Sequence, residues 1–392
     1  MSDAKLILVI NPGSTSTKVA VYENEAERDS RSLPHSAEDL KQYPAINDQL
    51  DFRRQAVLDY LKDLNIKVGD LSAISARGGV VIPMAADRLR ADSAGAPAGQ
   101  RRPGERKSPQ YLESGAHLAD EAFARASLHS TTPHPANLAP VIAYELAKSA
   151  GIPAYVYDPV CACGTPEEIL TVSGLPELPR PFLTHVLNSR AVCVEQARRD
   201  GKDLRDTCYV VSHLGGGITS NLISGGRVHD LVADDEGTFS PERSGGVPCR
   251  QLVKLCYSGR FGEKEMQTRL KGQGGLTAYL GTNDLIEIEK RIEAGDEKAR
   301  LVHEAMALQI SKDIASLFPV VEGQVDKIIL TGGLAHSRRL TGLIEKRVKF
   351  LAPVSVMAGT FEMKALALGA LRVLTGRESV HINIFEPEPR NS

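Results

Sequence analysis

The chain has 392 residues, enough at ~150 per domain for two or three domains, and its 42% apolar and 24% charged residues exclude a disordered protein. Lys plus Arg number 47 against 49 for Asp plus Glu, so the net charge of −2 gives no overall basic field for nucleic acid and no polyacidic tail. The apolar run at residues 6–10 is short for a signal sequence, and no later run approaches the ~18 residues that span a bilayer. Six cysteines without a C-x-x-C pair are too sparse for a disulfide framework, and Cys161 and Cys163 lack the second pair that a tetrahedral metal site needs. These features predict a cytoplasmic protein with reduced thiols that binds neither nucleic acid nor membrane.

The first element, KLILVINPGSTSTKVAVYEN, is an apolar run that stops at Asn11, Pro12 and Gly13, crosses small hydroxyl residues and resumes as an alternating pattern at Val19 and Val21, which predicts strand, tight turn, strand. A helix is predicted over 52–64, then a strand in DLSAISARGGVV that runs into Arg77, Gly78 and Gly79. Residues 95–109 hold three Arg, a Lys, three Gly and three Pro against one Glu, the composition of a mobile basic loop. A helix over 137–148 is capped by Gly151. TCYVVSHLGGGITSNLISGGRV then repeats the opening plan: an offset of 202 places Asn11 on His213, Gly13 on Gly215 and Thr17 on Thr219. A long amphipathic helix over 297–317 precedes the strand DKIILTGGLAHS, whose Gly332 and Gly333 echo Gly78 and Gly79. Strands alternating with helices in a duplicated chain predict an α/β protein with one sheet per half and a cleft where the halves meet.

Neither G-x-x-x-x-G-K-[ST] nor G-x-G-x-x-G occurs. Turns of Gly, Ser and Thr can nevertheless form concave anion sites from backbone N–H groups, because the main chain there can approach an oxygen closely. Three such turns occur, at residues 13–17 followed by Lys18, at Gly215, Gly216 and Gly217, and at Gly332 and Gly333. One glycine turn serves any hairpin, whereas three at repeat-related positions point to phosphate.

The strings VINPGSTSTKVAVYE, ARGGVV, HLGGG, FSPERSGGVP, GGLTAYLGTND, ILTGG and ALGALRVL resemble the acetokinase family of the actin, sugar-kinase and Hsp70 superfamily, in particular its butyrate branch. The likeness runs with few gaps from Lys5 to about Leu374, except between roughly Ala85 and Pro133. It implies two duplicated actin-like, ribonuclease H-like lobes, each a mixed sheet flanked by helices, with a nucleotide cleft between. Residues 1–152 with a C-terminal helix at 370–392 would form one lobe and residues 153–369 the other. It further implies ATP or ADP with Mg²⁺, a homodimer, and the reaction ATP + butanoate ⇌ ADP + butanoyl phosphate by direct in-line transfer.

Transfer to a carboxylate needs charge neutralisation and alignment more than a base, because the nucleophile is already ionised. By resemblance, Arg77 binds the acid's carboxylate, a task its planar fork suits, and Arg243 stabilises charge on the transferred group. Asp158 and His185 match the family's acidic and transition-state positions, and His134, like Arg77, matches a substrate-binding position. His213 with Gly215, Gly216 and Gly217 resembles the nucleotide-phosphate loop, and Lys18, Thr282, Asn283, Asp284, Gly332, Gly333 and the residues up to 337 supply further nucleotide contacts. Asn11 and Glu362 match metal-associated positions, although a glutamate at a helix start is an equally ordinary reading of FEMKAL.

Two departures bear on the substrate. His134, Pro135, Ala136, Asn137 and Leu138 echo the acetate branch's His-Asn-Pro-Ala-Asn-Leu, and the long segment 85–133 replaces a short helical connection. Acetate or propionate kinase is therefore the alternative within the family, and an ATP-binding protein without catalysis is the alternative of another class.

Overall fold

The computed structural model describes residues 4–81, 111–130, 132–383 and 385. The basic stretch 95–109, and with it much of 85–133, lies outside the described residues.

Twelve strands are described: β1 (Leu6–Pro12), β2 (Ser16–Glu23), β3 (Ala26–Pro34), β4 (Ala73–Ala76), β5 (Ala116–Leu118), β6 (Ala154–Tyr157), β7 (Cys208–Leu214), β8 (Ile218–Ser224), β9 (Arg227–Val232), β10 (Lys327–Gly332), β11 (Val354–Ala358) and β12 (Val380–His381). They form a seven-stranded sheet, β12-β5-β6-β4-β1-β2-β3, and a five-stranded sheet, β11-β10-β7-β8-β9. The predicted duplication is visible strand by strand, since β1 begins at residue 6 and β7 at 208, a difference of 202. In each half an antiparallel meander, β1-β2-β3 or β7-β8-β9, is extended by a parallel partner of its first strand, β4 or β10. Both meanders break register late, at Val21/Tyr22 and at Leu222/Ile223.

The patterning explains these places. Ile7, Leu8, Val9 and Ile10 are consecutive and wholly buried, as suits a strand covered on both faces, whereas AERDSRSLP in β3 is polar, exposed and at the sheet edge. The predicted helices are found at Leu50–Asp63, Leu138–Ala150 and Glu297–Ser316. Gly151 takes the left-handed conformation that ends the second, and the Asp296 side chain accepts the Ala299 N–H to start the third. No helix among the described residues is long and apolar enough to cross a membrane.

The chain divides into one unit of Met1–Pro181 with Phe361–Ser392 and a second of Phe182–Thr360. The boundaries expected at 152/153 and 369/370 differ from these for a physical reason. β6 is hydrogen-bonded between β4 and β5 and so completes the first sheet, and the whole helix Glu362–Leu374 packs on β1, β4 and β6 of that unit. Ser75 on β4 donates to the Leu366 carbonyl at 2.7 Å, fixing that helix on the sheet. In the second unit the core is built from Val210, Leu222, Ile310, Ile314, Ile328 and Leu340, where the long helix and the sheet meet.

Candidate active site

In the first unit the register of the sheet brings distant motifs together. β1 and β4 run parallel with Ile10 beside Ala76, and Arg77 N–H donates to the Ile10 carbonyl at 3.0 Å. Arg77 therefore leaves its strand beside Asn11. Glu362, the first residue of its helix, forms an ion pair with Arg77 and accepts from Asn11 Nδ2 at 2.9 Å. The arginine expected for the acid and the two residues expected near the metal thus form one cluster. Arg77 and Glu362 keep 17% and 18% of their side-chain surface exposed, so they remain accessible to a ligand.

With its Nδ2 on Glu362, Asn11 has an amide oxygen that makes no hydrogen bond among the described residues, and the Glu362 carboxylate is a second hard donor. This pair fits Mg²⁺, which takes one or two protein oxygens and fills its octahedron with water and phosphate. No group of three or more His, Cys, Asp or Glu that could hold a metal ion occurs among the described residues.

Asp158 is buried and has a positive φ of 43°, strained for a residue with a Cβ. The strain is held by reciprocal bonds: Gly115 N–H donates to Asp158 Oδ1 at 2.7 Å, and Asp158 N–H to the Gly115 carbonyl at 3.0 Å. His134 Nδ1 accepts the Ala136 N–H at 3.1 Å, which puts the proton of its neutral ring on Nε2. The turn after β1 exposes Ser14 and Thr15, and Lys18 is exposed on β2.

The second unit has its own cluster around the corresponding turn. His185 and His213 stack with centroids 4.3 Å apart and planes at 16°. His185 Nδ1 lies 3.0 Å from Thr219 Oγ1, and Asn188 Nδ2 lies 3.0 Å from His213 Nδ1 and 3.2 Å from Thr331 Oγ1. Because an amide NH₂ only donates, Asn188 keeps His213 Nδ1 an acceptor and places its proton on Nε2. Arg243 packs against Gly217, where a Cβ would collide with its guanidinium, and forms an ion pair with Asp234. Burial lowers the Arg243 pKa from its ordinary value.

The loop that carries Arg243 is fastened on several sides. Ser240 N–H donates to the Arg243 carbonyl at 3.0 Å, Gly272 and Gly274 N–H donate to the Glu242 carbonyl at 2.8 and 3.1 Å, and Ser240 Oγ donates to the Gly216 carbonyl at 2.6 Å. Asp313 Oδ2 accepts from Thr238 N–H at 2.7 Å and ties the loop's start to the long helix.

Gly332 has φ of 92° and passes so close to the Leu214 backbone that only glycine fits, which seats the Gly332 and Gly333 turn at the end of β7. Ser337, at the end of that stretch, caps the next helix by accepting the Leu340 N–H at 2.9 Å and donates to Glu289 Oε1 at 2.5 Å. Asn283 Nδ2 donates to Glu242 Oε1 at 2.5 Å, joining that stretch to the Arg243 loop. Its neighbours have local duties: Thr282 Oγ1 donates to Glu287, and Asp284 caps a helix by accepting the Ile286 and Glu287 N–H groups. Asn188, Asp234 and Glu242 were not singled out from the sequence. Asn188 had one signal, its i+3 spacing from His185 along a helix, whereas the two acids act across chain separations that no local pattern encodes.

A sequence profile described as the Acetokinase family matches residues 184–352. The chain is 43% identical to the probable butyrate kinase 2 of Caldanaerobacter subterraneus subsp. tengcongensis, over 96% of this chain and 99% of the relative. It is 38% identical to butyrate kinase 2 of Clostridium acetobutylicum, over 95% and 97% of the two chains. Among solved structures the fold is similar to acetate kinase from Porphyromonas gingivalis, with TM-score 0.73 and 18% identity over 95% of this chain and 100% of that one. A propionate kinase from Francisella tularensis subsp. tularensis follows with TM-score 0.69 and 16% identity over 93% and 98%. The structural likeness confirms the expected two-lobed α/β fold, and from identity that extends over nearly the whole of both relatives, the chain belongs to the acetokinase family.

Proposed function

We propose that the chain is a short-chain carboxylate kinase that converts ATP and butanoate into ADP and butanoyl phosphate, reversibly, by direct in-line transfer. The observation that carries this reading is the cluster of Asn11, Arg77 and Glu362, drawn from three separate segments and containing an accessible arginine with a metal-compatible oxygen pair. The identity to butyrate kinases favours butanoate among the short acids.

The acid arrives ionised, so no side chain has to remove a proton from it. Arg77 pairs with its carboxylate, exchanging part of its contact with Glu362 for the substrate. Asp158, fixed by Gly115, orients neighbouring groups and does not act as a base. His213 presents Nε2–H beside the backbone of Gly215, Gly216 and Gly217 to the nucleotide's phosphates, and His185, stacked on it, faces the transferred group. Arg243, desolvated on the same turn and anchored by its loop, neutralises charge on the phosphoryl group as it moves. Mg²⁺, held through Asn11 and Glu362, would neutralise charge on the phosphate oxygens. Lys18, Asn283, Gly332 and Gly333 complete the nucleotide contacts.

The six free cysteines accord with a cytoplasmic enzyme. The family resemblance adds a homodimer, which sedimentation would test.

Coupled assay of ADP release with acetate, propionate, butanoate, isobutanoate and pentanoate tests the reading. A maximum in kcat/KM at butanoate is expected. A maximum at acetate or propionate would keep the chemistry and change the substrate, and no acid-dependent release would overturn it.

A further inference from the structure

The helix Leu50–Asp63 carries an arginine with no part in the chemistry above. Arg53 is wholly buried, and among the described residues its hydrogen bonds all go to neutral oxygens, with no carboxylate partner. Its donors converge instead on the turn after β1. Nη1 donates to the Gly13 carbonyl at 3.0 Å, the Ser16 carbonyl at 3.3 Å and Thr17 Oγ1 at 3.1 Å; Nη2 donates to the Ser14 carbonyl at 3.3 Å; Nε donates to Gln49 Oε1 at 3.0 Å. Thr17 Oγ1 also lies 2.8 Å from Nε2 of the buried His35.

The two sides of this turn are therefore unlike. Its carbonyls at Gly13, Ser14 and Ser16 are gathered inward on one guanidinium, while the N–H groups of the exposed Ser14 and Thr15 meet no acceptor among the described residues. A turn whose acceptors are neutralised from beneath and whose donors remain on the outer side is polarised for an anion. A buried cation without a counter-ion is costly, and an anion on the far side of one turn of backbone relieves that cost. Burial pushes Arg53 down only to about 10, so it stays charged at neutral pH, and burial together with Arg53 holds the His35 pKa below its ordinary value. In the second unit a guanidinium also lies against the corresponding turn, since Arg243 packs on Gly217, the residue that the 202 offset pairs with Thr15, but Arg243 has Asp234 as its counter-ion and Arg53 itself falls on Leu255.

We propose that Arg53 is a positioning residue for phosphate binding: by holding the carbonyls of the turn at residues 13–17 inward and placing a positive charge beneath it, it makes that turn a phosphate receptor. This inference rests on the reading above, in which the chain binds ATP and Lys18, next to this turn, is one of the nucleotide contacts.

The test compares wild type with Arg53→Lys, Arg53→Met and Thr17→Val. It uses thermal unfolding, calorimetric titration with the magnesium complex of the imido analogue of ATP, and KM for ATP and for butanoate. Arg53→Lys keeps the charge but cannot reach four oxygens. It should stay folded, raise KM for ATP and the analogue's Kd about tenfold, and change KM for butanoate less than threefold. Thr17→Val removes one oxygen only and should move the same constants by about two- to threefold; it keeps the test decisive if Arg53→Met does not fold. Lowered melting temperatures with unchanged analogue affinity in Arg53→Lys and Thr17→Val would make Arg53 merely structural and overturn the proposal alone. Failure of the wild type to bind the analogue would overturn the functional reading and this inference with it.

Discussion

At the scale of single residues, the proposed charge neutralisation falls to two arginines, Arg77 for the acid and Arg243 for the transferred group. Arg243→Ala should lower kcat about 10²- to 10³-fold with little change in KM for the acid, the scale seen when one preorganised charge-stabilising donor is lost. Arg77→Ala should raise the acid's KM as well as lower kcat, because its partner is present in the ground state. Steady-state kinetics check both, and small equal effects would contradict the roles. Asn188→Leu should lower kcat/KM for ATP about 5- to 150-fold, because a buried ring nitrogen left without its donor costs about 1–3 kcal/mol and His213 is no longer held to one tautomer. Arg77, Arg243 and His213 were singled out because each sits inside a recognisable string at a strand end or beside glycines, and His185 by its match to a family position just before the helix Val186–Asp200. Asn188, Asp234 and Arg53 were not: Arg53 reads as one more charge in FRRQ on a helix surface, and only the fold shows that it is buried under a turn some forty residues earlier.

At the scale of elements, the duplicated hairpins were the most legible feature, because alternating apolar residues around a small turn leave a periodic trace that the fold then reproduces with one offset. The unit boundaries were less legible. AYVY reads equally well as the first strand of one half or the last of the other, and only its pairing between β4 and β5 assigns it. The long helix Glu297–Ser316 also carries a prediction. Asp313, buried where it accepts the Thr238 N–H, is raised by desolvation to about 6. Its folded pKa lies above the ordinary value, so the folded state binds more protons between about pH 4 and 6, and this group's contribution to stability falls as pH rises through that window. Asp313→Asn keeps an oxygen for Thr238 without the charge. It should stabilise the protein by about 1–2 kcal/mol at pH 7 and flatten the pH dependence of the melting temperature between pH 4 and 6. An unchanged slope would show that the carboxylate is not paying for its burial.

At the scale of the whole molecule, family membership settles the class of chemistry, while the choice of acid depends on contacts worth only about 1–3 kcal/mol per methylene. No string in the sequence encodes a difference of that size, and the acetate-like segment around His134 shows why acid preference was the least legible property. Isotopic tracing of the transferred atoms addresses the chemistry itself. Butanoate labelled with ¹⁸O in both carboxylate positions, MgATP and the purified protein would be followed by ³¹P nuclear magnetic resonance. An acyl-phosphate resonance shifted by one ¹⁸O in the bridge between carbon and phosphorus is expected, because the acid's oxygen attacks the γ-phosphorus. An unshifted acyl phosphate, or inorganic phosphate as the sole product, would contradict direct transfer to the carboxylate.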